Sequence, residues 1–190
     1  MEADRRVAAV ILAAGESRRF GSPKQLALVE GRTILEHVLD LASAAGLAPI
    51  VAIVPVWLSR PRTLVDPVLR WIRNPYPERG MSYSLRLGLA ALPDEMTAAV
   101  ILLGDQPRVA VETIAALVAA RGERPFVATE AGGVLAPPVL IERSHFGIAA
   151  RLTGDAGLRD VLRGQPDLVR AVAVPAHPTD VDTPRDLDRA

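Results

Sequence analysis

The stretch VAAVILAAGESRRFGSPK, residues 7–24, decides how the chain around it folds. Its first part, Val7 to Ala13, is short, apolar and partly β-branched, which predicts a strand buried on both faces. Small residues, two arginines and Lys24 follow. Because small residues let backbone N–H groups approach an anion that the cations neutralise, the stretch is compatible with a phosphate-binding loop. The alternative is an ordinary strand-to-helix turn with solvated arginines.

Lys24 adds weight to the phosphate-binding interpretation. It is the only lysine in the chain, and the other strongly basic side chains are all arginines. Arginine presents a planar fork, whereas lysine presents a compact charge on a flexible stem. A lone lysine beside a glycine-containing loop therefore favours a site that requires a compact cation.

Length and composition exclude several classes of protein. The 190 residues fit one domain, predicted over residues 1–190, with room for a three-layer core. Hydrophobic residues make up 49% and aromatic residues 4%, so the core has to be aliphatic. The 22 basic and 22 acidic residues give a net charge of +0, and no electrostatic case for nucleic-acid binding. The absence of cysteine excludes disulfides, thiolate zinc sites and a cysteine nucleophile.

The N-terminal segment bears on where the protein works. Arg5 and Arg6 followed by Val7 to Ala14 resemble a short signal peptide. Cleavage there would remove the strand that leads into the glycine-containing loop. No apolar run reaches the roughly 18 residues of a membrane span, so no membrane association is expected. We therefore expect a cytoplasmic protein.

Apolar runs alternate with helical stripes along the whole chain. Thr33 and Glu36 have the spacing of a capping box at the first helix, which Gly46 ends. The alternation predicts a single three-layer α/β domain, with a mostly parallel sheet and helices on both faces. Strands are predicted at residues 7–13, 49–54, 69–73, 98–103, 126–129, 139–141 and 169–174, and helices at 34–42, within 80–92, at 111–120 and from 154 onwards.

Two further segments have cap or turn chemistry. Ser82 or Ser84 is expected to cap the helix that follows Gly80, with ligand contact as the alternative. The glycine- and proline-rich segment Ala131–Pro138 is predicted to be a turn that leads into the strand at 139–141.

Acidic residues follow a buried strand and recur near the C-terminus. Asp105 follows the apolar run Ala98–Leu103 after a single glycine, at the strand end where ligands bind in open α/β sheets. The alternative is that Asp105 caps the following helix. Asp180 and Asp182 precede a helix that begins at Pro184. One of them is expected to cap this helix, which leaves the other free for a metal.

Phosphate chemistry would account for the cationic loop and the acidic residues together. Asp105 and Asp182 can hold Mg²⁺ against a triphosphate, because magnesium favours few protein carboxylates plus phosphate oxygens. The cationic loop would neutralise the remaining charge, which suits phosphoryl or nucleotidyl transfer. The loop is not a P-loop, since no GKS or GKT occurs and Lys24 lies beyond the glycine turn.

Five segments, in order and over nearly the whole chain, resemble the molybdenum cofactor cytidylyltransferase family. This family lies among the nucleotidyltransferases similar to the molybdenum cofactor guanylyltransferase. The resemblance implies a Rossmann-like nucleotidyltransferase fold. The segments are LAAGESRRFGSPK (12–24), NPYPERGMSYSLRLGLAALP (74–93), LLGDQP (102–107), GDAGLRDVL (154–162) and DVDTPRDL (180–187).

The resemblance also implies an activity and a set of site residues. The activity is transfer of CMP from CTP to the terminal phosphate of a molybdopterin cofactor, with Mg²⁺ and release of pyrophosphate. A molybdenum hydroxylase would be the client of the product. By position, the resemblance implies that Arg19 and Lys24 neutralise the phosphates and that Asp105 and Asp182 bind Mg²⁺. It implies that Ser84 lies beside the nucleoside. The residues that it implies for nucleotide binding are Leu12, Ala13, Ala14, Gly15, Lys24, Ser84 and Asp105.

Details of the motifs bear on the nucleotide and on the acceptor. Two alanines before Gly15 and the Pro23-Lys24 pair resemble the cytidylyl branch, whereas the guanylyl branch has a double glycine and lacks that proline. Phe20 replaces a usual methionine, a tolerable hydrophobic exchange. In the family a glycine is followed by His-Pro or Asn-Pro, and Ala136 and Pro137 stand there in this chain. Since proline cannot donate a side-chain hydrogen bond, such a contact to the acceptor is lost.

Two other functions remain open from the sequence. One is nucleotidyl transfer to another phosphorylated acceptor, such as a sugar phosphate. The other is a carrier or maturation chaperone for a molybdenum hydroxylase that holds nucleotide without turnover. The presence of Lys24, Asp105 and Asp182 together favours the enzyme.

Overall fold

The computed structural model describes residues 6–17, 20–60 and 68–189. Nine strands and four α-helices occur within these ranges. They are β1 (Val7–Leu12), β2 (Leu28–Val29), β3 (Arg32–Thr33), α1 (Ile34–Ala44), β4 (Ile50–Pro55), β5 (Leu69–Asn74), α2 (Met81–Ala90), β6 (Ala98–Leu103), α3 (Val111–Ala119), β7 (Phe126–Ala131), β8 (Val134–Glu142), α4 (Gly157–Gly164) and β9 (Val169–Ala173).

Seven of the strands form one sheet in the order β5-β4-β1-β6-β8-β7-β9, and β2 pairs with β3 separately. β1 lies between β4 and β6, next to the central strand β6, and runs parallel to both neighbours. Only β8 runs antiparallel to its neighbours in the sheet, β6 and β7. The predicted mostly parallel α/β sheet is therefore confirmed.

The sheet is covered on both faces because its central strands are apolar at every position. In β1, Ala9 and Ile11 face a core shared with α1 and α3, whereas Ala8 and Val10 face a core shared with α2 and α4. This burial on both faces is why the strand reads as a continuous apolar run rather than an alternating one. The predicted three layers are present.

The start of α1 has the predicted capping box. The backbone N–H of Glu36 donates to Oγ1 of Thr33 at 3.2 Å, and the backbone N–H of Thr33 donates to Oε2 of Glu36 at 2.8 Å. Hydrogen bonds from the Thr33 backbone and hydroxyl lower the pKa of the Glu36 carboxyl. The helix ends at Ala44, and Gly46 follows with a φ of 72°. Among the described helices, none is both long and apolar enough to cross a membrane.

The prediction of a turn over Ala131–Pro138 is too long. β7 extends to Ala131 and β8 begins at Val134, so only Gly132 and Gly133 form the turn. The register jumps from the pair Ala128–Val139 to the pair Thr129–Ala136, which leaves the two intervening prolines without partners in the ladder. A bulge tolerates residues that have no N–H, so these prolines do not end the strand.

Candidate active site

A pocket of about 530 Å³ opens where β1 and β6 end. It gathers residues that are far apart in the sequence, as expected at the carboxyl edge of a parallel sheet. Arg19, which was also predicted for the site, lies outside the described residues. The predicted site residues that line the pocket are Leu12, Ala13, Ala14, Gly15, Lys24, Ser84, Asp105 and Asp182.

The ends of β1 and β6 approach each other closely at Gly104. Its N–H donates to the carbonyl of Leu12 at 2.9 Å. A Cβ at position 104 would lie 2.6 Å from Cβ of Ala13, closer than carbon atoms can pack. Glycine is therefore needed there, and the close contact places Asp105 beside the loop that follows β1.

Gln25 fixes the path of that loop. Its buried amide Nε2 donates to the carbonyls of Ala13 at 2.9 Å and Gly15 at 2.8 Å. The hydroxyl of Ser17 donates to Gln25 Oε1 at 3.3 Å and accepts from the backbone N–H of Lys24 at 3.1 Å. Sequence reasoning missed Gln25, because a glutamine next to a lysine gives no sign that its partners lie 10 and 12 residues earlier.

Lys24 lies between the two predicted metal-binding carboxylates. Its Nζ is 2.6 Å from Oδ2 of Asp105 and 3.4 Å from Oδ1 of Asp182. The side chains of Lys24 and Asp105 are 16% and 20% exposed, and that of Asp182 is 33% exposed. Such partly buried charges are screened less than surface pairs. The prediction brought these three residues to one site, and the structure places them in contact.

The C-terminal segment reaches the site through one buried side chain. Val181 packs against Phe20, Val29 and Ile34, and its N–H donates to the carbonyl of Asp105 at 2.9 Å. This anchor lies between Asp180 and Asp182 in the sequence, which is why both reach the pocket.

Asp180 is a third carboxylate at the site. Its Oδ1 accepts a hydrogen bond from Nε2 of the buried Gln106 at 2.8 Å. The residue reaches solvent, but its carboxyl is partly removed from water, and this raises the pKa of Asp180. The hydrogen bond from Gln106 lowers the pKa, whereas the negative charges of Asp105 and Asp182 raise it further. The sequence offered Asp180 and Asp182 as a cap and a metal ligand without deciding between them, and the metal was then assigned to Asp182.

Two observations test whether these residues fit a divalent cation. Oδ1 of Asp105 and Oε1 of Gln106 are buried and have no hydrogen-bond partner among the described residues. An orphaned carboxylate oxygen beside the second carboxylate of Asp182 is a suitable hard donor pair for Mg²⁺ or Mn²⁺. Within the described ranges, no group of three or more His, Asp or Glu side chains is arranged to hold a metal. The pair therefore fits a cation whose remaining ligands are phosphate oxygens or water.

The cap predictions for the acidic residues need correction. Helix α3 begins at Val111 with Ala110 as its N-cap, so Asp105 does not cap it. At the start of the turn Pro184–Arg189, the carboxylate that accepts backbone hydrogen bonds is that of Asp186. The N–H groups of Asp182 and Thr183 donate to its Oδ2 at 3.1 and 2.7 Å. Thr183 and Asp186 have the spacing of a capping box, a signal that was present in the sequence.

The prediction that Ser82 or Ser84 caps α2 is wrong. The N-cap is Gly80, and the N–H of Met81 donates to Oδ1 of the distant Asp155 at 3.1 Å. Ser84 instead accepts a hydrogen bond from Nδ2 of the buried Asn74 at 3.0 Å. Ser84 lies a full turn inside the helix, so its hydroxyl serves a tertiary contact on the pocket wall.

Gly80 allows that wall to close. Its φ is 77°, and a Cβ there would lie 2.4 Å from the carbonyl carbon of Gly154. The start of α2 therefore meets the turn at 154–155 with no room for a side chain. Asp155, Asp180 and Arg159 also line the pocket, and sequence reasoning had assigned none of them to the site.

Comparisons with known proteins agree with this geometry. The sequence model of the MobA-like NTP transferase domain matches residues 9–171. The purine catabolism protein PucB of Bacillus subtilis (strain 168) is 30% identical over 194 residues, which cover 94% of this chain and 93% of PucB. The crystal structure of Rv0371c from Mycobacterium tuberculosis H37Rv has 32% identity and a TM-score of 0.82, over 96% of each chain. The same protein in complex with manganese has 29% identity and a TM-score of 0.80, over 97% of this chain and 96% of that one.

Proposed function

The chain belongs to the MobA-like NTP transferase domain family and is a nucleotidyltransferase, and we propose that it transfers CMP from CTP to a molybdopterin-type cofactor. The observation that carries this proposal is the contact of Lys24 with Asp105 and Asp182 beside the loop after β1. One lysine and two carboxylates in a pocket of about 530 Å³ suit a triphosphate and its cation.

The proposed reaction balances without any further reactant. An oxygen of the acceptor's terminal phosphate attacks the α-phosphorus of CTP, and the bond from that phosphorus to the α–β bridging oxygen breaks. Pyrophosphate leaves with the bonding electrons, and CMP and the acceptor become joined by a new diphosphate link. The protein contributes mainly position and charge to such a transfer.

Lys24 is the residue that we assign to the charge of the phosphates, together with Arg19. Its flexible stem lets the ammonium leave the carboxylates and meet the triphosphate. Asp105 and Asp182 would hold Mg²⁺, which supplies charge neutralisation at the phosphates when it is bound. The manganese complex of Rv0371c supports a divalent cation in this family.

Gln25 has a positioning role in this proposal. By holding the carbonyls of Ala13 and Gly15, it keeps the loop in one conformation before the nucleotide binds. A loop that is already ordered loses little conformational entropy on binding. The backbone of Ala13, Ala14 and Gly15 is therefore ready to contact the nucleotide.

The choice of CTP and of the acceptor rests on the motifs of the sequence. The alanine pair before Gly15 and the Pro23-Lys24 pair resemble the cytidylyl branch. The five ordered segments resemble enzymes that act on molybdopterin. The pair Ala136-Pro137, which stands where the resembling family has His-Pro or Asn-Pro, is the point at which this chain departs from the pattern.

Pyrophosphate release tests the proposal. Purified protein is incubated with CTP, Mg²⁺ and, in parallel, molybdopterin, N-acetylglucosamine 1-phosphate or no acceptor. We expect release that requires molybdopterin. Release with the sugar phosphate instead would show a sugar nucleotidyltransferase. Tight CTP binding without release under any condition would show a carrier or chaperone for a molybdenum hydroxylase.

A further inference from the structure

Asn74 is a buried polar residue behind the wall of the candidate active site. It is the last residue of β5, lies opposite Pro55 of β4, and is 0% exposed. Its side chain lies between two different groups, the backbone N–H of Tyr76 and the hydroxyl of Ser84 in α2. Since Ser84 lines the pocket, Asn74 connects the end of a strand to the pocket wall.

The contact with Tyr76 fixes the orientation of the Asn74 amide. A backbone N–H can only donate, so the side-chain atom that lies 2.8 Å from it is the oxygen Oδ1. Asparagine commonly makes this bond to the N–H two residues later, where the chain turns. The nitrogen Nδ2 then faces Ser84, whose Oγ is 3.0 Å away. Because an amide nitrogen only donates, Oγ of Ser84 is the acceptor in this bond.

Ser84 therefore keeps its own proton for another partner. A hydroxyl has one proton to donate, and accepting a hydrogen bond from Asn74 does not use it. A serine inside a helix can donate to the carbonyl one turn earlier, but the Ser84 hydroxyl donates to no group among the described residues. Ser84 is 5% exposed and lines the pocket, so a ligand in the pocket is the partner that remains.

We propose that Asn74 is a positioning residue that makes Ser84 a hydrogen-bond donor to the nucleoside in this pocket. The atom of the nucleoside that Ser84 meets is then an acceptor, and it is not the 4-amino group of cytosine. This inference rests on the proposed function and adds a residue, outside the pocket lining, that sets the direction of one contact with the nucleotide.

The direction of the bond matters because both side chains are buried. A free hydroxyl can rotate and can either donate or accept, so it tolerates either kind of ligand atom. With its acceptor side occupied by Asn74, Ser84 meets a ligand donor as a second donor, and both groups stay unsatisfied. A buried site that is built for one hydrogen bond disfavours ligands that lack the matching atom. Asn74 therefore turns a permissive contact into a selective one.

Asn74→Asp reverses the direction with almost no change in shape. An ionised carboxylate accepts from both the Tyr76 N–H and the Ser84 hydroxyl, so Ser84 then presents only lone pairs to the pocket. The titrations are run at about pH 8.5, because burial favours the neutral form of a carboxyl. Ser84→Ala removes the hydroxyl altogether. The matched control is Ser82→Ala, because Ser82 lies on the same helix, is 1% exposed and does not line the pocket.

Calorimetric titration with CTP and Mg²⁺, without acceptor, measures the effect. We expect the Kd of CTP to rise about fivefold to tenfold in Ser84→Ala, which loses one hydrogen bond, and at least as much in Asn74→Asp. The double variant Asn74→Asp/Ser84→Ala should match Ser84→Ala within about twofold, because Asn74 acts through the hydroxyl. Ser82→Ala should bind CTP as wild type does. The triphosphate of 2-pyrimidinone riboside, which lacks the 4-amino group of CTP, should lose the same factor in Ser84→Ala.

Some outcomes overturn this inference and one overturns the proposed function. If the losses in Asn74→Asp and Ser84→Ala add up in the double variant, or if Asn74→Asp lowers Tm without weakening CTP, Asn74 supports the fold alone. If Ser84→Ala weakens CTP but not the pyrimidinone analogue, Ser84 accepts from the amino group and the direction is wrong. This comparison needs Ser84→Ala alone, so it decides the direction even if Asn74→Asp does not fold. An unchanged Kd in Ser84→Ala removes Ser84 from the nucleotide site. If the wild-type protein binds no CTP, the proposed function itself fails.

Discussion

The Nζ atom of Lys24 lies 2.6 Å from Oδ2 of Asp105, a residue 81 positions later in the chain. The ammonium also reaches Asp182, so one positive charge compensates two carboxylates. Without Lys24 these carboxylates would face each other uncompensated in a partly buried site, which is unfavourable. The lysine that we assign to the phosphates therefore also stabilises the site before any ligand is present.

Lys24→Ala separates these two roles. We expect turnover to fall on the order of 10²–10³, the usual loss for one preorganised electrostatic contact, and Lys24→Arg to lose at least about tenfold. We further expect the Tm of Lys24→Ala to fall in metal-free buffer and to recover with added Mg²⁺, because a cation can replace the lost ammonium. Pyrophosphate release and thermal melts with and without Mg²⁺ measure both effects. Unchanged turnover in Lys24→Ala would remove Lys24 from the mechanism.

Asp182→Asn addresses the metal directly. If Asp105 and Asp182 share a divalent cation, each single replacement should abolish most turnover and weaken Mn²⁺ binding, while the fold remains intact. The matched control is Asp167→Asn, which removes the same charge from an exposed turn before β9. Calorimetric titration with Mn²⁺ and α,β-methylene-CTP gives a readout that is independent of turnover. Wild-type Mn²⁺ affinity and turnover in Asp182→Asn would show that this residue is not a ligand.

Gln25→Leu should loosen the loop after β1. The substitution leaves the carbonyls of Ala13 and Gly15 without the amide that now donates to both, one of them buried, at a cost of about 1–3 kcal/mol in the free energy of unfolding. We expect CTP to bind more weakly as well, since the loop must then be ordered on binding. Urea unfolding and CTP titration measure the two effects. A loss of stability with unchanged CTP affinity would show that Gln25 stabilises the fold but does not prepare the loop for the nucleotide.

Glu36→Gln tests the capping box through pH. The folded-state pKa of Glu36 is lowered, so its ionised form adds stability above the unfolded pKa, and this contribution is lost as pH falls through the lowered folded value. Glutamine keeps an acceptor oxygen but not the charge. We expect wild type to be the more stable at pH 7, and the difference to shrink as pH falls below about 4. A difference in unfolding free energy that stays constant from pH 7 to pH 3 would contradict this account.

Much of the fold and the place of the site follow from the sequence for a simple reason. A strand buried on both faces requires an uninterrupted apolar run, and β1, β4 and β6 have one. Asp105 follows such a run, so its position at the ligand-binding edge follows from topology alone. These signals are local, and they need no knowledge of which segments meet.

Features that depend on contacts between distant segments were missed. Gln25 bonds to backbone carbonyls, which every sequence provides, and Asp155 reaches α2 from 74 residues away. The hairpin of β7 and β8 was shortened in the prediction because prolines usually end strands, whereas a bulge here accommodates them. Contacts between segments that are distant in the sequence determine each of these features, and local sequence patterns do not reveal them.

The preference for CTP over GTP is expected to depend on the position of the loop after β1. The side chains of Ala13 and Ala14 are each 5% exposed and pack into the cores on opposite faces of the sheet, so their methyl groups help to set the position of the loop that lines the pocket. We expect CTP to give a larger thermal shift than GTP in wild type with Mg²⁺. The double variant Ala13→Gly/Ala14→Gly should lose about 1–2 kcal/mol of stability, since glycine gains more backbone freedom on unfolding, and should lose part of the preference for CTP. A larger shift with GTP in wild type would contradict the cytidylyl assignment. A preference for CTP that survives in the double variant would place the selectivity elsewhere in the pocket.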